Sequence, residues 1–270
     1  MLDPTKRFSN RVENYVKYRP GYPPDVIDLL TAECGLTPES VIADLGSGTG
    51  ILSELFLKHG HRVFGVEPNR EMRAASDKLL AGYSRFLSID ATAEATTLAN
   101  ASVDFITAGQ AFHWFNRQAA RAEFQRILRS GGWVVLAWNG FRVESSPLMA
   151  AYQDIVARYG TDYSEVAREV KGCEVESFYA PGTCKCARFA FGQRFDHEGL
   201  KGRLLSASYA PEPGHPSYDA MLSDLRVVFD ANEANGWVTF AYETEVYYGQ
   251  LPMRSEPPAS AGRSNTQRAS

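Results

Sequence analysis

The apolar run "VIADL" (41–45) breaks into a loop with glycine at positions 46, 48 and 50, then enters the amphipathic stretch "ILSELFLKHG". Closely spaced glycines between a strand and a helix let the backbone lie flush under a ligand, and the helix start offers free N–H groups. Such a junction commits a chain to strands joined by crossing helices, and the flanking sequence has that rhythm. Ile51, Leu52, Leu55 and Phe56 share a helical face that Gly60 closes as a C-cap. "RVFGVE" (62–67), "RFLSI" (85–89), "VDFITA" (103–108) and "WVVLAW" (133–138) read as further buried strands. Between them "REMRAASDKLL" and "RQAARAEFQRILRSGG" read as helices, the second with Ala120, Phe124, Ile127 and Leu128 on one stripe and a stop at Gly131-Gly132. The alternation predicts an α/β, doubly wound, mainly parallel sheet covered on both faces.

The flanks are different. "RFSNRVENYVKY" predicts a helix stopped by Pro20-Gly21, and "PPDVIDLLTAECG" a second with proline at its start and Gly35 at its end. After Trp138 the alternation lapses: "PLMAAYQDIVARYG", "HEGLKGRLLSASYA" and "YDAMLSDLRVVFDANEA" read as helices, and "CARFAFGQRF" and "GWVTFAYETEVYYGQ" as strands. The polar end, "RSEPPASAGRSNTQRAS", has the composition of a disordered tail.

Of 270 residues, 44% are hydrophobic, enough for a sizeable core, and 32 acidic against 28 basic residues give a formal charge of -4. That balance supplies no field for a polyphosphate backbone, so nucleic acid is not an expected partner. No signal-peptide stretch opens the chain, and no apolar run approaches the roughly 18 residues of a membrane span. Cys34, Cys173, Cys184 and Cys186 do not form a disulfide framework, and the C-x-C pair lacks companions for a metal site. A cytoplasmic protein, monomeric or homodimeric and without a metal, is expected.

The glycine loop suits an adenosine-type cofactor. A dinucleotide site would ask for G-x-G-x-x-G or G-x-G-x-x-A, whereas the pattern here is G-x-G-x-G followed by Ile51. Glu67, closing the second strand, could accept two ribose hydroxyls in either case. Asp44, two residues before the first glycine, discriminates. With "DLGSGTG", "GVEPNREM", "ATAE", "SVDFITAGQAFHWF" and "RSGGWVVLAW" in this order over about 100 residues, the chain resembles the class I S-adenosylmethionine-dependent methyltransferases, whose fold is Rossmann-like. "ENYVKYRPGYP" and "GRLLSASYAP" further resemble a small-molecule branch similar to trans-aconitate methyltransferases.

The resemblance implies an N-terminal helical lid (1–36), a cofactor-binding core (37–140), cap helices with the final strands (141–253) and a tail (254–270). It implies S-adenosyl-L-methionine as cofactor. Asp44 would organise the loop near the cofactor's amino group, while Gly46, Ser47, Gly48, Thr49 and Gly50 would line its methionine and ribose portion. Glu67 would hold the ribose, Pro68 would lie beside the adenine, Thr92 and Ala93 would meet the adenine edge, and Gln110 would sit beneath the sulfonium. Ala91-Thr92 stands where a common form of the family has Gly-Asp, and Asp90 comes two positions early.

Tyr15, Tyr18, Arg19 and Tyr22 are candidates for closing the site, Arg19 through a planar fork suited to a carboxylate of cofactor or acceptor. Ser206, Ser208 and Tyr209 fall in the expected acceptor cap, and Phe112 to Trp114 are expected to floor the acceptor site. His113 has three readings: a base, a wall of the acceptor pocket, or packing among Phe112, Trp114 and Phe115. His59, His61, His197 and His215 are expected at the surface. The implied activity is methyl transfer to a small molecule, at a carboxylate or hydroxyl. The alternatives are a non-catalytic S-adenosylmethionine-binding protein and an NAD-type oxidoreductase.

Overall fold

A computed structural model describes residues 12–161, 163 and 172–252. Seven strands form one sheet in the order β3-β2-β1-β4-β5-β7-β6. They are β1 (Val41–Leu45), β2 (Arg62–Val66), β3 (Phe86–Ile89), β4 (Val103–Gly109), β5 (Leu128–Phe141), β6 (Cys184–Phe195) and β7 (Val238–Gly249). The pairings among β1 to β5 are parallel, with Asp44 beside Gly65 and Thr107, whereas β7 runs antiparallel to both β5 and β6. The strand order reverses between β1 and β4, which opens a crevice beyond their carboxyl ends. The core α/β, mainly parallel prediction matches this sheet.

Helices follow where apolar stripes and caps dictate. α1 is Val12–Tyr18 and α2 is Asp25–Cys34, the latter closed by Gly35 at φ 68 with its N–H on the Leu30 carbonyl. α3 (Ile51–Lys58) starts from Gly50, and α4 (Arg70–Leu79) is capped by the Asn69 side chain, which accepts the Met72 N–H. α5 (Arg117–Ile127) is capped in the same way by Asn116. Beyond the core come α6 (Pro147–Tyr159), α7 (Gly172–Tyr179), α8 (His197–Leu205) and α9 (Tyr218–Asn232).

Three apolar clusters hold these layers. One joins Leu45, Ile106, Phe112 and Phe124 on one sheet face, and a second joins Leu30, Ile42, Phe56 and Val135 on the other. The third lies under the cap and contains Tyr152, Leu200, Leu204, Phe240 and Tyr242. The Glu123 carboxylate braces the loop after β3, accepting from the Thr96 N–H at 2.7 Å, the Thr96 hydroxyl at 2.6 Å and Arg126. No described helix is long and apolar enough to cross a membrane.

Several boundaries depart from expectation. The helix read through Gly131-Gly132 stops at Ile127, and Leu128 belongs to β5, which pairs with Val103 across a register shift. The apolar spacing up to Leu128 mimics another helical turn, but that side chain is buried from a strand. α8 ends at Leu205, short of the run to Ala210. β6 begins two residues earlier than read, at Cys184. α7 has no counterpart in the sequence reading. His61 is buried, with its ring 6.0 Å from that of Phe56, rather than at the surface. The side chain of Cys173 and the tail lie outside the described residues.

Candidate functional site

The crevice between β1 and β4 is lined from below by backbone. Gly46, Gly48 and Gly50 have φ of 64, 57 and 86, a region that costs L side chains energy. A Cβ on Gly46 would also come within 2.6 Å of the Ala111 Cβ, and one on Gly50 within 2.5 Å of Leu80. The loop can therefore pass close under a ligand only as glycine.

Asp44 is fully buried at the end of β1 and borders the cavity. It accepts from the Ser53 hydroxyl at 2.6 Å and from Thr107 at 3.0 Å. Burial pushes its carboxyl up to about 6, against the pull of those hydrogen bonds, with the Glu67 charge adding to the rise. Glu67, one residue past β2, accepts the N–H groups of Gly48 at 2.9 Å and Asn69 at 2.8 Å. Burial raises its carboxyl as well, opposed by those two N–H groups. Glu67 thus fixes the loop through the Gly48 N–H, whereas Asp44 ties β1 to α3 and β4, and each acid is held from the protein's side.

Gln110 ends β4 in a left-handed conformation, φ 57, unusual for a side chain of its size. Its Nε2 donates to the Asn139 carbonyl at 2.9 Å, and its backbone N–H to the Ala137 carbonyl at 2.9 Å. Strain of this kind clusters at functional sites, and here it turns the chain sharply across the crevice.

Two adjoining cavities share Arg19, Gly46, Gln110, Asn139 and Arg203. The first is a narrow slot against Asp44, Ser47, Thr49, Tyr15 and Tyr22. The second, of about 210 Å³, continues past His113, Trp114, Trp138, Phe141, Tyr163, Ser208 and Tyr209. Within the slot the hydroxyls of Ser47 and Thr49 and the Nε of Arg19 are buried without hydrogen-bond partners. Orphaned donors facing a cradle of glycines, with two fixed carboxylates beside them, match the amino, carboxylate and ribose groups of S-adenosylmethionine.

Above the crevice, Arg19 stacks on the Tyr15 ring and donates from Nη2 to the Ser206 carbonyl at 3.0 Å. Burial lowers its pKa, and so does Arg203 nearby. Arg203 projects from α8, fully buried, with Nε on the Tyr242 hydroxyl at 2.7 Å and its guanidinium 5.3 Å from the Phe141 ring centre. Burial opposes its charge, but Tyr242, Tyr152 and Tyr209 raise its pKa overall. Asn139 ties the parts together: its Nδ2 donates to the Gly21 carbonyl at 3.1 Å and its Oδ1 accepts from Thr244 at 2.6 Å.

Most expected residues meet here, and some do not. Tyr15, Arg19, Tyr22, Asp44, Gly46, Ser47, Gly48, Thr49, Gln110, His113, Trp114 and Tyr209 border the two cavities. Gly50 and Glu67 support the loop from behind. Phe112 is not a floor: it is fully buried and packs its ring 4.8 Å from Phe178. Tyr18 lays its ring on Gly202 of α8 instead of facing the cavity, leaving no room there for a Cβ. Ser206 is fully buried and donates its hydroxyl to the Arg203 carbonyl, so it finishes a helix. Thr92 is exposed and bridges to Ala95, Ala93 is buried, Pro68 is half-buried, and none of the three borders either cavity. Asp90 is paired with Arg73 at 2.7 Å.

Arg203, Asn139, Trp138, Phe141 and Met72 were not singled out from the sequence. Arg203 did leave a signal, because Leu200, Arg203 and Leu204 share one helical face that must be buried.

A parallel sheet with a reversed seventh strand, a glycine loop after β1 and an acidic residue after β2 is the arrangement of the class I methyltransferase fold. Residues 43–136 match the family model described as a methyltransferase domain, and the chain carries that domain, which uses S-adenosylmethionine. Among its relatives is an uncharacterised methyltransferase-like protein of Schizosaccharomyces pombe, 26% identical over 249 residues, covering 90% of this chain and 94% of that one. An uncharacterised methyltransferase of Mycobacterium tuberculosis is 36% identical over 137 residues. That match covers 51% of this chain and 54% of the relative, so the chain spans about half of that protein's length. A solved structure from Anaeromyxobacter dehalogenans, provisionally named a type II methyltransferase, shares the fold with a TM-score of 0.63 and 22% identity. It covers 87% of this chain and 99% of its own.

Proposed function

We propose that the chain transfers a methyl group from S-adenosylmethionine to a small-molecule acceptor, at a carboxylate or hydroxyl oxygen. The supporting observation is the cavity of about 210 Å³ continuing from the glycine loop. It lies beneath the segment after α1 and beside α8, with aromatic walls, a size and setting suited to a small molecule. A polymer side chain would need a wider approach.

The bound cofactor supplies an activated methyl on a sulfonium, and displacement there is in line. The protein's work is alignment and exclusion of water. Asp44 would meet the cofactor's amino group, Glu67 the ribose, and Arg19 the carboxylate. Gln110 would fix the end of β4 beneath the transferred methyl. Burial raises the phenols of Tyr22 and Tyr209 above their ordinary value, so neither is prepared to accept a proton. His113 is the only imidazole bordering the cavity among the described residues. An acceptor carboxylate, already ionised, needs no base; an acceptor hydroxyl would rely on His113.

The test is transfer of a labelled methyl group to a panel of small carboxylic acids and phenols, alongside protein and nucleic-acid fractions. Label is expected in the small molecules. Label confined to the macromolecular fractions would refute the small-molecule reading. Calorimetric titration with S-adenosylmethionine and NAD separately tests the cofactor, and only the former is expected to bind.

A further inference from the structure

Two arginines border both cavities, and among the described residues neither has a carboxylate partner. The groups around Arg203 are uncharged: the Tyr242 hydroxyl, the Ser206 hydroxyl at 3.5 Å and the rings of Phe141 and Phe240. Around Arg19 they are the Tyr15 ring and a helix-end carbonyl. Buried charges are ordinarily paired, so two guanidiniums with no carboxylate among the described residues, facing one space, point to ligands as their counter-ions.

The cofactor fills only half of it. At neutral pH S-adenosylmethionine carries a sulfonium, an ammonium and one carboxylate, a net single positive charge. Asp44 and Glu67 offset that charge and one more. Among the described residues one positive charge is left over, and the cofactor has a single carboxylate for two arginines. Both arginines reach both spaces, but their neighbours differ. Arg19 adjoins Pro20, which with Tyr22 lines the glycine slot alone, whereas the Arg203 guanidinium lies 5.3 Å from the ring of Phe141, which with Tyr209 lines the wider space alone. The space in front of Arg203 is walled by Trp114, Trp138, Phe141, Tyr163 and Tyr209.

From this we infer that Arg203 is the recognition residue for the acceptor, which carries one carboxylate on a flat, apolar body. The inference rests on the methyltransferase reading and adds the acceptor's class. The planar fork of an arginine matches a carboxylate, and aromatic walls favour an aromatic or conjugated frame over a hydroxylated one. One negative charge brings the loaded cavity to neutrality; a second would have no partner.

The experiment is calorimetric titration of the protein loaded with sinefungin, an analogue whose amine keeps the positive charge of the sulfonium. The titrants are benzoate and cinnamate, with benzamide and cinnamamide as neutral counterparts. On the unaltered protein the acids are expected to bind at least about tenfold more tightly than the amides. Arg203→Lys keeps the charge but loses the fork, and should weaken the acids by roughly tenfold or more while leaving the amides and sinefungin within about twofold. Amides binding as well as acids, or no acid binding at millimolar concentration, would overturn the assignment without needing any variant. So would Arg203→Lys weakening sinefungin while sparing the acids. If the unaltered protein fails to bind sinefungin at all, the methyltransferase reading falls. Cofactor binding without acid binding removes the anchor alone.

Discussion

The two sides of the cavity are made of different material. The glycine side is backbone: three left-handed glycines, a helix start and the Gly48 N–H fixed by Glu67, all within residues 46–67. The cap side is side chains: Arg19, Phe141, Arg203 and Tyr209 arrive from three separate parts of the chain. Backbone sites tolerate little change in sequence. Side-chain sites can be rebuilt residue by residue, so the acceptor's identity is expected to reside there.

The largest effect should come from breaking the backbone side. In Gly46→Ala, a left-handed alanine and a 2.6 Å approach to Ala111 together should cost about 3 kcal/mol, or roughly 100-fold in S-adenosylhomocysteine affinity. Gly21→Ala, where nothing lies within 4 Å, is the matched control and should be close to neutral. Equal affinities for the two variants would mean that the loop does not hold the cofactor.

Gly202→Ala attacks the other side, because its Cβ would run into the Tyr18 ring. Overpacking there should cost about 1–3 kcal/mol. It should separate α1 from α8, seen as faster proteolytic clipping near Tyr18 and a raised KM for the acceptor. A variant with unchanged clipping would show that α1 does not depend on this contact.

Acid titration separates the sides again. The Asp44 carboxyl sits at about 6, above its ordinary value of 3.8. Its buried charge therefore weakens the fold above pH 6, and that penalty fades as the pH falls from 6 toward 4. Cofactor affinity should move oppositely, about tenfold weaker at pH 5 than at its plateau, because the neutral carboxyl no longer attracts the cofactor's ammonium. Calorimetry from pH 5 to 8 would reveal the limb, and Asp44→Asn should flatten it. Glu123 lies outside the site and works the other way. Arg126 holds its carboxyl at about 2, so its stabilisation is present above pH 4.5 and lost on further acidification.

The smallest effect is expected at His113. Its Ala variant should lower turnover less than tenfold, by roughly 1 kcal/mol, with cofactor affinity unchanged, as for a wall. A loss of about 100-fold, together with disappearance of the acid limb of the pH–rate profile, would instead make it the base.

The same contrast explains what could be read in advance. β1, its glycine loop, α3 and Glu67 are contiguous, and their periodicity and turn chemistry are local, so that stretch was legible in the sequence, whereas Pro68, Thr92 and Ala93, read beside the adenine, border neither cavity. The cap was not legible. Arg203 looks like a solvated charge until Leu200 and Leu204 are seen to bury the face it shares. Phe112 and Trp114 are near neighbours of one type, yet one turns into the core and the other borders the cavity. A short 3-10 turn over Phe112–Trp114 separates them, and hydrophobicity alone does not encode that turn. Leu128 shows the converse, a helical spacing that tertiary pairing with β4 overrides.

Arg19 has a consequence beyond the ligands it faces. Its guanidinium donates to the carbonyl of Ser206, the residue that ends α8, and so places a cation where that helix's dipole presents negative charge. A helix near residue 200 is thus terminated by a side chain from near residue 20. Trimming the front of the chain should unravel the last turn of α8, and amide exchange there would reveal it.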